Sequence, residues 1–171
     1  MGNPREVDTP EKEALWQQFG AAIDMLENAL RACPDGLWSD RSQRPEFWYV
    51  AFHALFFLDV YLSESLEGFG PPAPFTLDEL DPAGLLPERP YSKEELQAYV
   101  EHGRKKCRAA IEGLTDQTAH ERRRILSFDG SFLELLLYNM RHVQHHAAQL
   151  SLILRQKTDS APGYVARAKS R

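Results

Sequence analysis

Few of the usual anchors of small-protein structure are present in this 171-residue chain. It has only two cysteines, Cys33 and Cys107, which lie far apart and form neither a disulfide framework nor a thiolate metal motif. The longest apolar stretch, Val50 to Leu62, is broken by His53 and Asp59 and is too short to span a bilayer. Met1 to Pro10 is polar and of mixed charge, without the apolar core a signal peptide needs. The formal net charge is −5, so the basic excess typical of proteins that wrap a phosphate backbone is missing. There is no glycine-rich phosphate loop, no serine or cysteine nucleophile motif and no internal repeat. These absences point to a single reduced cytoplasmic domain that binds neither nucleic acid nor membrane.

What is present is helical patterning. Apolar residues Leu15, Phe19, Ala22, Leu26 and Leu30 recur at spacings of three and four after Thr9-Pro10, an N-cap followed by a first-turn proline. This first helix should end near Cys33, before Pro34-Asp35-Gly36. A second should begin between Ser42 and Pro45 and reach about Glu67. Its centre, Phe47 to Tyr61, is apolar around most of its circumference and reads as buried on several sides.

From Gly68 to Pro90 the prolines and glycines exclude a long helix, and so long a loop in a compact domain is either functional or a crossover. Ser92-Lys93-Glu94-Glu95 is a capping box that opens a third helix, running to about Gly113. After a polar connection, Ser131-Phe132-Leu133-Glu134 opens a fourth, reaching about Lys157.

The expected fold is therefore all-α: a four-helix bundle over residues 1–157 followed by a polar, basic tail, 158–171. The short first connection makes helices one and two antiparallel neighbours, and a long crossover between helices two and three gives up-down-down-up.

Three histidines carry the chemistry. His142 and His146 are four apart and share a helix face, with Cβ atoms about 5–6 Å apart, a spacing that lets two imidazoles chelate one ion. His145, three from His142, also shares that face. His146 is preferred because His142, His146, Gln149 and Ile153 form one stripe, which leaves His145 flanking. His53 sits among Ala51, Phe52, Ala54, Leu55 and Phe56, where an unpartnered imidazole loses hydration without return. In an antiparallel arrangement of helices two and four it falls level with the pair. His102 and His120 lie in polar segments and read as solvated. The basic runs Arg104-Lys105-Lys106 with Arg108, and Arg122-Arg123-Arg124, read as solvated faces rather than an anion site.

With those residues in view, the chain resembles the DinB/YfiT-like metalloproteins, which carry one histidine in helix two and an H-x2-H-H-x2-Q pattern in helix four. Here the pattern runs His142-Val143-Gln144-His145-His146-Ala147-Ala148-Gln149, and the helix-two element is Trp48-Tyr49-Val50-Ala51-Phe52-His53. The resemblance spans about residues 8 to 157. Where many relatives have Arg-Gly before the glutamine, this chain has Ala147-Ala148. The resemblance implies one divalent metal ion, zinc or nickel, held by His53, His142 and His146, and a homodimer. Three nitrogen ligands leave an open position, as in catalytic rather than closed sites. The implied activity is a metal-dependent thiol S-transferase using a low-molecular-weight thiol. The alternatives are a metal-dependent hydrolase acting on a small molecule with activated water, and a non-catalytic metal-binding, stress-related module.

Overall fold

The computed structural model describes residues 9–42 and 44–169. The capping role expected of the Thr9 side chain, the polar Met1–Asp8 segment and Arg171 lie outside the described residues. Four long helices carry the fold: α1 (Thr9–Ala32), α3 (Phe47–Tyr61), α4 (Lys93–Glu112) and α6 (Phe132–Thr158). Between them lie two short helices, α2 (Asp35–Trp38) and α5 (Asp116–His120), and a hairpin of β1 (Arg122–Ile125) with β2 (Phe128–Ser131).

Local chemistry sets the helix ends. Ser92 accepts from the Glu95 N–H while Glu95 accepts from the Ser92 N–H, the reciprocal cap expected for α4. Ser131 caps α6 by accepting from the Glu134 N–H at 3.2 Å. Helix α3 is shorter than its sequence suggests and stops at Tyr61, not near Glu67. Its final carbonyls find other partners: Lys106 Nζ and Ser63 Oγ each donate to the Asp59 carbonyl at 3.0 Å. A side chain from α4 thereby bonds the last turn of the helix.

Cross-helix pairs fix the directions. Lys12 meets Glu112, Trp16 meets Arg108 and Asp24 meets Arg104, so α1 and α4 are antiparallel. Phe52 meets Tyr91, Asp59 meets Tyr99 and Ser63 meets Lys106, so α3 and α4 run parallel. Tyr61 pairs with Tyr138, Phe57 with His142 and His53 with His146: each turn up α3 is matched by one down α6. The order is up-down-down-up. One expectation needs correcting. Among the described residues α1 packs on α4 and α6, and α3 packs on the same two, so α1 and α3 face each other across the bundle diagonal and are not neighbours. The connection from residue 33 to 46, with α2 inside it, is long enough to cross the end of the bundle.

The core is rich in aromatic rings, as the α3 sequence implied: Phe47, Trp48, Phe52 and Phe56 are all buried. The long connection between α3 and α4 is no slack loop. Its Phe75 is buried, stacked on Tyr99 with ring centroids 4.3 Å apart and on Phe52 at 5.9 Å. Burying such a ring contributes about 1.5–3 kcal/mol, enough to fasten the segment to the bundle.

The hairpin was not foreseen, because three arginines in a row show no alternation of apolar and polar residues. It is held by Arg122 and Arg124 converging on Asp129 at 2.6 and 3.1 Å. The tail, expected to be peripheral, folds back along α1. Ala168 N donates to the Gln17 carbonyl at 2.9 Å and Lys169 N to the Asp24 carboxylate at 2.8 Å. Gly20 permits this approach, since a Cβ there would lie 2.6 Å from the Cβ of Ala168. No helix of the described residues is long and apolar enough to cross a membrane.

Candidate metal centre

Helix α3 is buried nearly all round, and its least buried stripe is Tyr49, His53 and Phe57. That stripe meets the Tyr138, His142 and His146 stripe of α6. The antiparallel register then brings the histidines together: ring centroids are 4.7 Å apart for His53 and His146, 5.4 Å for His53 and His142, and 4.5 Å for His142 and His146. One ring nitrogen of each lies within 4.8 Å of those of the other two, a cluster that can hold a metal ion.

Hydrogen bonds orient two of the rings. Glu79 Oε2 lies 2.7 Å from His53 Nδ1, so that nitrogen donates its proton and Nε2 is left with the lone pair. Gln149 Oε1 lies 2.7 Å from His146 Nδ1 and has the same effect. His146 Nε2 is 3.1 Å from His142 Nε2. Metal–nitrogen bonds of about 2.0–2.1 Å separate two nitrogens by about 3.3 Å at a tetrahedral angle, so this spacing suits a shared ion. The buried Nδ1 of His142 has no hydrogen-bond partner. If that atom carries the ring's proton, two lone pairs face each other across 3.1 Å, an arrangement that a cation between them relieves. The donor set thus fits a divalent ion.

For His142 and His146 the surroundings favour the neutral ring, the form a metal requires. Burial, then the neighbouring His146, His53 and His145, push His142 down to about 3. Burial also lowers His146, against the raising effect of its bond to Gln149. Tyr49 borders the site, and burial followed by a hydrogen bond to Glu79 raises its phenol well above the ordinary range. Burial and a hydrogen bond to Tyr138 do the same for Tyr61, whose ring stands 6.0 Å from His142. Both phenols stay protonated at neutral pH.

The remaining sequence expectations divide cleanly. His145 is exposed and meets the His146 ring edge-on, with centroids 5.0 Å apart, from outside the cluster. His102 and His120 are exposed and outside the cluster, the first 3.4 Å from the Asp59 carboxylate and the second hydrogen-bonded to the Asp116 carbonyl. The cysteine thiols are buried and raised by that burial, Cys33 to about 12, so neither is a ready nucleophile. Of the first basic run, Arg104 is not a solvated residue at all: it is buried between Asp24 and Glu27.

Sequence reasoning missed Glu79. It sits in a single 3-10 turn, Asp78–Leu80, inside the proline-rich connection, with a side chain only 5% exposed. A carboxylate bound to the far nitrogen of a ligating histidine is a recurrent support of metal sites. The one available signal was the length of the loop.

None of the curated proteins matches the sequence. The DinB superfamily model matches residues 12–150, from the second turn of α1 to the last turns of α6, and so takes in all three histidines. On that match and this helical architecture, the chain belongs to the DinB superfamily.

Proposed function

We propose that His53, His142 and His146 hold one divalent ion, zinc or nickel, with a coordination position left open, and that the protein is a thiol S-transferase. The observation that carries this reading is the convergence of three imidazoles at a half-exposed surface, with Glu79 and Gln149 fixing the outer nitrogens of two. An ion bound there supplies Lewis acidity, which lowers the pKa of a thiol reaching the open position. The chain's own part is to position and to exclude. Glu79 holds His53 in the tautomer whose Nε2 faces the centre. Gln149 does so for His146. Burial keeps His142 unprotonated at every physiological pH. Tyr49, Phe57 and Tyr61 wall part of the site with rings, which offer apolar contact to the body of an electrophile. In the transfer the S–H proton leaves to solvent, and sulfur donates its electron pair to the electrophilic carbon. The displaced group, or the adjoining carbon, takes up a proton.

Half-exposure of His53 supports a second reading, activation of water in a hydrolase, because solvent has access to the same face. Calorimetry separates the two. Metal-loaded protein should bind a small thiol more tightly than its S-methyl analogue, releasing about one proton near neutral pH, since the free thiol has a pKa of about 8.5. Titration in two buffers of different ionisation enthalpy counts that proton. Equal affinity for thiol and thioether removes the transferase reading.

A further inference from the structure

Beside the metal centre, α1, α6 and the returning tail enclose a cleft of about 600 Å³, within the range of small-molecule sites. His142 stands in its wall, together with Tyr138, Arg141, Gln144, His145 and Tyr164. Two features of that lining go together. The first is that none of the described residues lining the cleft is an aspartate or glutamate, although the chain carries 25 of them and a net charge of −5. The second is the state of Arg141. Every arginine from Arg31 to Arg124 is ion-paired with a carboxylate, on α1, α4, the hairpin or the loops. Arg141, like Arg155 and Arg167, has neither side-chain hydrogen bond nor ion pair among the described residues, and of these three it alone lines the cleft, one residue before a histidine of the cluster.

We propose that this cleft binds a small organic anion, a carboxylate on an apolar body, with Arg141 as its counter-ion. A guanidinium presents a planar fork of donors that matches a carboxylate in two parallel hydrogen bonds. The phenol rings of Tyr138 and Tyr164 and the side chains of Ala22 and Ala148 offer apolar contact for the body. His145, outside the metal cluster, adds a ring nitrogen that hydrogen-bonds an oxyanion. Because His142 is common to the cleft and the histidine cluster, a ligand seated on Arg141 lies alongside the ion. The cleft therefore selects the molecule that the metal centre meets, whichever reaction follows.

The test uses 3-phenylpropionate and 3-phenylpropanamide, which share an apolar body and differ in charge, titrated into ¹⁵N-labelled full chain with and without zinc. The acid should give saturable shifts at the amides of Gln18, Arg141, His145 and Tyr164 and bind about tenfold more tightly than the amide, the worth of one charge-assisted bond. Arg141→Gln should remove that preference and leave zinc stoichiometry at one per chain. The preference should persist without zinc. Four outcomes overturn the proposal: no saturation in the millimolar range, equal affinity for acid and amide, a preference retained in Arg141→Gln, or one that is lost when zinc is absent and so marks the ion itself as the receptor.

Discussion

Two of the polar clusters in this apolar bundle are built on opposite plans. Between α1 and α4, Arg104 is buried with its guanidinium 2.8 Å from Asp24 and 2.7 Å from Glu27, while Glu101 closes from its own helix at 3.4 Å. Positive and negative charges are matched inside the chain. Between α3 and α6, three imidazoles converge with no carboxylate at their centre, and Glu79 bonds only the outer nitrogen of His53. The first cluster carries its counter-charge within the fold. The second brings donors of one kind together, which stabilises nothing unless a cation joins them. A buried ion network supports structure, and converging lone pairs mark a place for a ligand.

That contrast breaks most sharply at Arg104. Arg104→Met removes the buried cation shared by Asp24 and Glu27, leaving the first with the Lys169 N–H and the second with Arg31. It should cost about 3–5 kcal/mol in urea unfolding, with metal stoichiometry unchanged. Removing Glu79 acts in the opposite sense. Glu79→Gln should weaken zinc binding by about 10–100-fold in chelator competition while the metal-free unfolding midpoint barely moves. A stability loss as large as that of Arg104→Met would show Glu79 to be a structural strut.

How much of this was legible beforehand differs between the clusters. The three histidines stood out because helical spacing puts His142 and His146 on one face and because His53 is the polar intruder in an apolar run. The caps at Ser92 and Ser131 were legible for the same local reason. Glu79 was not: it is 26 residues from His53 in a segment without periodicity, and only folding brings it home. Arg104 read as part of a surface run because its partners Asp24 and Glu27 lie on another helix. The bond from Lys106 to the last turn of α3 is likewise a contact that no local pattern encodes.

Acid sharpens the comparison with a smaller effect. His142 titrates near 6.5 when free and about 3 when folded, so between those values the unfolded chain binds a proton that the folded chain does not. Metal-free protein should therefore lose stability as pH falls from about 6.5 towards 3. His142→Ala should flatten that slope, and thermal unfolding across the range reads it. A slope unchanged in His142→Ala would place the titrating group elsewhere.

The smallest effect belongs to the tail. Gly20→Ala gains about 1 kcal/mol of helix propensity but drives a methyl into Ala168. Global stability should shift by no more than about 1 kcal/mol, while limited proteolysis near Tyr164 accelerates as the strap lifts. Unchanged cleavage would mean that the tail accommodates the methyl in place.

The most direct test of the account is metal content across the histidines. Purified without an affinity tag and dialysed against zinc, wild-type protein and His145→Ala should each retain one ion per chain. His53→Ala, His142→Ala and His146→Ala should retain none, each having lost one of three chelating nitrogens. Equal loss in His145→Ala and His146→Ala, or a wild-type chain that binds no ion, would contradict it.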